Sequence, residues 1–410
     1  MGTSSTSSTS RRVFGFIAWL IVFHVLLAYG LPEWLFVTLV ILLGILYYRI
    51  GAFGAMTVSL TLVVITVVYG LALKITGLED SIYFRPDEKY ARFDYTNYHR
   101  GYQPNVHLDT KMPHGDLRAM TTEDIAEPRH MIFDTDSQGF RNERDYHGQR
   151  YLLVGDSFVA GNSNSQPDLL YAQLLARYGL DTYSRAYQGN LADYATYIRS
   201  FQRRYGDDFR VLLFIFEGND FEESRARPEY ALARFGRRYY SLFSEFNTYR
   251  VTMSLYKRLT RSRAIREGSA IEMAELGGKK VAFYQQYIAV TRRASWPEPQ
   301  GFEQTLAGLK PVLDHVYFIP TKYRVYSKHL KPDEKLPNAQ WDYLNGLCRK
   351  YQLRCHNLTE PLVRESDALL QQGEFTWWRD DTHWNRHGIA VAARVVASDL
   401  GASGGKEKRH

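Results

Sequence analysis

The chain has 410 residues and a formal net charge of +7, from 51 Lys and Arg against 44 Asp and Glu. The basic excess is modest and forms no Lys/Arg-dense stripe, which argues against nucleic acid as a partner. Two cysteines without a second pair nearby argue against a thiolate zinc site, and the length accommodates a membrane region plus one large domain.

Residues 1–12 read as a disordered tail, dominated by Ser, Thr and Gly and unable to build a core. Its Met-Gly-Thr-Ser-Ser-Thr start fits a myristoylation pattern, but almost any Ser/Thr tract does. Three apolar runs follow, Val13–Leu31, Trp34–Tyr48 and about Ala55–Leu73. They predict a three-helix membrane anchor over 13–76, the short second run needing Trp34, Tyr47 and Tyr48 at the interfaces. A cleaved signal peptide accounts for the first run alone, not for two more directly behind it. Arg11 and Arg12 place the start of the first run on the cytoplasmic side, so three crossings leave everything after residue 76 outside the cytoplasm.

Residues 77–400 are expected to form one extracytoplasmic domain, with a tail at 401–410. Residues 80–148, rich in Tyr, Asp, Arg and Pro, predict loops and short strands, and Phe133–Asn142 reads as a strand, a turn at Gly139 and a return. From Tyr151–Val154 the pattern alternates. That apolar run reads as a buried parallel strand ending at Gly155-Asp156-Ser157. Ser165–Asp168 starts a helix that Gly179 stops. Asp181–Tyr187 predicts the second strand, Asp193–Tyr205 a helix, Arg210–Phe216 the third strand and Phe302–Leu309 a helix. His315–Pro320 predicts the fourth strand, Trp341–Tyr351 a helix, Leu353–Leu358 the fifth strand, and a last helix begins near Asn385. Strands alternating with helices predict a parallel sheet covered on both faces. Cys348, late in one helix, and Cys355, in the next strand, fall within disulfide reach. Residues 221–300 break the rhythm. They are basic, aromatic and helix-prone, and read either as an insertion over the crevice or as a solvated helical cap.

Four features fall at the carboxyl edge of this sheet or just before a helix, where open α/β sheets bind ligands: Ser157, the turn Gly189–Asp193, Glu217–Asp220, and Arg379–Asn385. A serine hydroxyl needs a base within hydrogen-bond reach, which His383 can supply. A carboxylate must hold the imidazole tautomer, and Asp380 and Asp381 both lie near enough in sequence. A tetrahedral oxyanion needs preorganised donors: the Asn219 amide and backbone N–H groups at Ser157 and 189–192. Taken singly, each feature is an ordinary cap or turn. A metal set of His383, His387 and the Asp pair is a minor alternative, and His356 and His387 read as structural.

These residues resemble the signature blocks of the SGNH/GDSL hydrolase superfamily: Gly155-Asp156-Ser157 with Gly161, then Gly218-Asn219-Asp220, then Asp380-Asp381-Thr382-His383. Phe133–Asn142 and Ile319-Pro320-Thr321-Lys322 with Val325-Tyr326 are similar to features of its membrane-anchored bacterial members. The resemblance spans about residues 130–400. It implies a flavodoxin-like α/β/α sandwich with Ser157 as nucleophile, His383 as base, Asp380 as its orienter and Asn219 as an oxyanion donor. Asp381 is a rival orienter, because relatives in alginate acetylation use an Asp-x-His spacing. Two departures stand out. Ala192 occupies the second block's Gly position, with Gly189 three residues earlier, and Glu217 stands where many members have Gly. The resemblance implies no cofactor and no metal. It implies a serine esterase or O-acyltransferase, with an acetyl group expected, acting on glycan or lipid esters of the envelope; a transferase would need a separate membrane acyltransferase as partner. A non-catalytic glycan-binding component on the same fold is the alternative. Trp377, Trp378, Trp384, Tyr239 and Tyr240 are candidate sugar-stacking rings.

Overall fold

The computed structural model describes residues 85–94, 99–221, 270–296 and 298–402, with a few positions of 64–76. The expected membrane anchor and most of the 221–300 insertion, with Tyr239 and Tyr240, lie outside the described residues. Among those described, no helix is long and apolar enough to cross a membrane.

In chain order the elements are α1 (Pro86–Lys89), β1 (Ala91–Asp94), β2 (His99–Tyr102), β3 (His107–Met112), β4 (Arg129–Asp134), β5 (Tyr151–Val154), α2 (Leu170–Tyr178), β6 (Thr182–Ser184), α3 (Leu191–Tyr205) and β7 (Arg210–Phe216). Then come β8 (Ile271–Leu276), β9 (Lys279–Tyr284), α4 (Gln285–Thr291), α5 (Phe302–Leu309), β10 (Leu313–Ile319), α6 (Lys322–Leu330), α7 (Ala339–Tyr351), β11 (Arg354–Asn357), α8 (Thr359–Leu370) and α9 (Arg386–Asp399).

Five strands form one parallel sheet in the order β11-β10-β7-β5-β6. Counted along the chain this is 2-1-3-4-5, so the winding reverses between β5 and β7. A crevice opens at such a switch point, beyond the carboxyl ends of the strands. The strands are continuous apolar runs because both faces are covered. Leu153, Phe214, Tyr317 and Ile319 pack one face under α2, α6, α8 and α9. Leu152, Val154, Leu213, Ile215 and Phe318 pack the other under α3, α5 and α7. Each such side chain contributes about 1.5–3 kcal/mol on burial, which outweighs the weak strand propensity of so short an element as β5. The result is an α/β/α sandwich. Cys348 and Cys355 are joined as a disulfide, tying α7 to the edge strand β11.

Three expectations change. Residues 271–284 are not helical: β8 and β9 form an antiparallel hairpin turning on Gly277 and Gly278, both at positive φ, where glycine pairs suit a two-residue hairpin turn. No strand returns after Gly139. Instead the Asp136 carboxylate accepts the N–H groups of Gln138 (2.9 Å) and Phe140 (3.1 Å) and the Asn142 amide (2.8 Å), a side-chain anchor in place of a ladder. Helices α6 and α8 complete the crossovers on either side of α7 and β11, where the sequence predicts only connections.

Candidate active site

Ser157 sits three residues beyond β5, on the tight turn that precedes Gly161 (φ +71°). The turn is held by Ala160 N–H on the Asp156 carbonyl (3.0 Å), Asn162 N–H on the Ser157 carbonyl (3.0 Å) and Phe158 N–H on Asp156 Oδ1 (2.9 Å). Burial pushes the Asp156 carboxyl up to about 6. The half-buried Ser157 points its Oγ at His383 Nε2, 2.8 Å away. His383 in turn hydrogen-bonds Asp381 Oδ1 through Nδ1 at 2.7 Å. The next two residues anchor the histidine: Trp384 is fully buried and donates Nε1–H to the Phe158 carbonyl (3.1 Å), and Asn385 caps α9 by accepting the His387 N–H (2.9 Å).

Asp381, not Asp380, therefore faces the histidine. Its Oδ1 also accepts the His383 N–H (3.0 Å), and its Oδ2 accepts the Ser163 hydroxyl (2.7 Å) and the Asp116 N–H (3.2 Å). Asp380 turns the other way. It accepts the N–H groups of Gly115 (2.7 Å) and Glu127 (2.8 Å) and pairs with Arg129 Nη2 (2.7 Å), all fully or largely buried. The expected Asp380 role is thus corrected. The cause is the segment 115–129, which crosses beneath the loop and consumes both Asp380 oxygens. Gly115 permits that crossing, since a Cβ there would lie 2.4 Å from the Asp380 carbonyl and 2.6 Å from Asp381 Oδ2.

The electrostatics follow from this placement. Burial alone would raise the Asp381 carboxyl, but the His383 hydrogen bond and the charges of His383, Arg129 and Arg85 hold it far below the usual range. Burial opposes a charged His383, yet Asp381 and Asp116 outweigh it and raise the ring above its ordinary value. Asp116 also accepts the Thr382 N–H (2.8 Å) and hydroxyl (2.6 Å) and lies 3.8 Å from Arg85. Asp87, buried nearby, accepts the Asn162 amide at 2.9 Å. Arg85, Asp87, Asp116 and Arg129 were missed from sequence. They lie in what reads as irregular loop, and no periodic signal marks them.

The expected oxyanion donors divide. The Ala192 N–H is already given to Asn190 Oδ1 (3.0 Å), because Asn190 caps α3 and Asp193 completes a capping box; Ala192 is not a free donor. The N–H groups of Ser157 and Gly189 and the Asn219 Nδ2 have no acceptor among the described residues. Tyr187 N–H on the Gly155 carbonyl (3.2 Å) carries the chain beyond β6 along β5 toward that corner. Glu217 is turned into the core. It is fully buried, accepting Arg324 Nε (2.8 Å) and the Thr321 N–H (2.9 Å). Asp220 braces the turn that carries Asn219, accepting the Phe216 N–H (2.8 Å) and the Tyr194 hydroxyl (2.8 Å).

Lys322 also supports the catalytic loop. Its nearly buried ammonium donates to the carbonyls of Ala282 (2.8 Å), Trp378 (2.8 Å), Arg379 (3.0 Å) and Asp381 (3.3 Å). Burial draws it down to about 7 against the pull of Asp380 and Asp381. Three of its acceptors belong to the loop that carries His383.

His387 pairs with Glu374 at 3.6 Å, not with His383, so the alternative metal set does not assemble. Asp116, Asp381 and His383 do bring ligand atoms within 4.8 Å of one another, but Asp381 spends both oxygens on the hydrogen bonds above. Trp377 and Trp384 are core residues, 1% and 0% exposed, and cannot stack on a sugar. Trp378 is half-buried beneath the Arg129 guanidinium, 4.1 Å from its ring centre. No protein-family model, curated protein or solved structure matches the chain.

Proposed function

We propose that the chain is a serine esterase or O-acyltransferase working through an acyl-Ser157 intermediate. The observation that carries this reading is the unbroken hydrogen-bond chain Ser157 Oγ–His383 Nε2 (2.8 Å) and His383 Nδ1–Asp381 Oδ1 (2.7 Å). His383 takes the Ser157 proton as Oγ attacks an ester carbonyl, then returns it to the leaving alcohol. Asp381 fixes the tautomer and offsets the imidazolium charge. Ser157 N–H, Gly189 N–H and the Asn219 amide supply the oxyanion donors. Water then releases the acid, or a second hydroxyl takes the acyl group.

The strand order and the resemblance of the three blocks to SGNH/GDSL enzymes support the same assignment. The N-terminal apolar runs and the Cys348–Cys355 disulfide support a membrane-anchored domain outside the cytoplasm, where disulfides persist. That location favours envelope or exported glycan esters, with acetyl the expected group, and a separate membrane acyltransferase as donor if the reaction is transfer.

A fluorophosphonate probe tests the chemistry. It labels the wild-type chain and fails to label Ser157→Ala. A folded wild type that is neither labelled nor active on aryl acetates would favour the non-catalytic glycan-binding alternative. Activity abolished by chelators and retained in Ser157→Ala would replace the serine mechanism with a metal one.

A further inference from the structure

We propose that His315, His356 and Asp399 form a second site, for a zinc-class divalent metal ion, remote from Ser157. The three residues come from β10, β11 and the last turn of α9, and one ligand atom from each lies within 4.8 Å of the other two. The strand register builds the cluster. Tyr317 is paired with His356, and His315 lies two residues before Tyr317, so the three side chains share one face of the sheet. The rings are stacked, Tyr317 on His356 at 5.1 Å and on His315 at 6.0 Å between centroids. Helix α9 starts directly after the His383 loop and reaches Asp399 at its end, about 20 Å along its axis, so the two sites do not overlap.

Two features point to a cation. First, Asp399 is only 20% exposed, and its one ion-pair partner among the described residues is His356, at 3.1 Å. The neighbouring guanidinium of Arg354 is taken by Asp314. A largely buried carboxylate with no Lys or Arg partner among the described residues is a natural ligand for a bound cation. Second, His315 is 3% exposed and its Nε2 has no hydrogen-bond partner among the described residues. His315 Nδ1 and His356 Nε2 face each other at 2.7 Å, which requires one proton between them. An ion entering there displaces that proton, and the partnerless His315 Nε2 is free to receive it by tautomer exchange. Donor atoms around a tetrahedral zinc sit about 3.4 Å apart, from bonds of about 2.0–2.1 Å. His356 turns Nδ1 to Asp399 and Nε2 to His315, so the quarter-exposed ring must rotate to bring one nitrogen to the ion beside the other two donors. Two imidazoles and one carboxylate leave the fourth position to solvent, a donor set suited to zinc over magnesium or calcium.

The test is Zn²⁺ alone, titrated by calorimetry into the full chain after chelator treatment, with His356→Gln, Asp399→Asn and His383→Ala in parallel. The expected result is one saturable site, lost in the first two variants and retained in His383→Ala. Absence of saturable binding, retention in His356→Gln, or loss only in His383→Ala would overturn the proposal, the last by moving the ion to the serine site. Should the variants fold poorly, Co²⁺ added to the wild type decides. Visible bands of a four-coordinate N/O site and a raised melting temperature support the assignment, and the weak spectrum of hydrated Co²⁺ with an unchanged melting temperature refutes it. Neither readout depends on esterase activity.

Discussion

Asp381→Asn keeps a hydrogen-bonding side chain but lets an amide donate to His383 Nδ1, trapping the tautomer that cannot accept the serine proton. The expected loss in kcat on an aryl acetate is about 10⁴-fold. Asp380→Asn should behave differently. It leaves Arg129 buried without its charge partner and is expected to cost about 3–5 kcal/mol of stability, seen in denaturant unfolding, with a smaller loss in kcat. Equal kcat losses in the two variants would contradict the assignment. His383 acts as a base only when neutral, and its pKa is raised above the ordinary 6.5. Activity therefore climbs with pH through a midpoint above 6.5, and removing the Asp381 charge shifts that limb toward acid, readable as kcat/KM against pH. Ser157 and His383 were legible in the sequence as residue types in the right order. The choice between the two aspartates was not, because both lie within reach of His383 along the chain. It is settled by Gly115, Glu127 and Arg129, whose contacts with Asp380 span 251 to 265 residues.

At the scale of elements, β10 and α6 act as the brace of the catalytic loop. Thr321 caps α6, its N–H bonds Glu217 at the end of β7, and Lys322 gathers the loop carbonyls beside Asp381. Lys322→Met keeps the length of the side chain but removes the donor. The carbonyls of Arg379 and Trp378 keep the N–H groups of Ala282 and Asp381, but those of Ala282 and Asp381 lose the ammonium, and a buried acceptor left unpaired costs about 1–3 kcal/mol. The expected signature is a fall in kcat and in fluorophosphonate labelling rate with KM nearly unchanged, because the residue positions the loop and does not touch substrate. A change confined to KM would place Lys322 at the substrate instead. The motif Ile319-Pro320-Thr321-Lys322 was visible in the sequence, but its task was not, since a lysine's backbone acceptors leave no trace in composition. The strands and major helices were legible because each is a periodic apolar run closed by Gly or an Asx cap. Hairpin β8–β9 was not, because its faces are mixed and the basic, aromatic stretch ahead of it masks the Gly-Gly signal.

At the scale of the whole molecule, a parallel sheet covered on both faces follows from alternation, with Ser157, Asn219 and the His383 loop at its carboxyl edge or just before a helix; the order of the strands does not. That Cys348 and Cys355 lie within disulfide reach was legible from their helix-to-strand spacing; that they are joined was not, and the structure joins them. The disulfide closes a loop of seven residues' separation, so replacing both cysteines by Ala is expected to lower stability by about 2–3 kcal/mol, measured as a shifted unfolding midpoint with activity intact at moderate temperature. What alternation does not reveal is that segment 85–134, ahead of the sheet, belongs to the site. Its grip on Asp380 and Asp381 joins residues about 265 apart, which gives the folding reaction a long-range step that closes late. During synthesis the clamp emerges early and waits with nothing to hold. His383 follows Ser157 by 226 residues, so the nucleophile stays without its base until that stretch has been made. A nascent chain that ends before His383 would carry an inert serine.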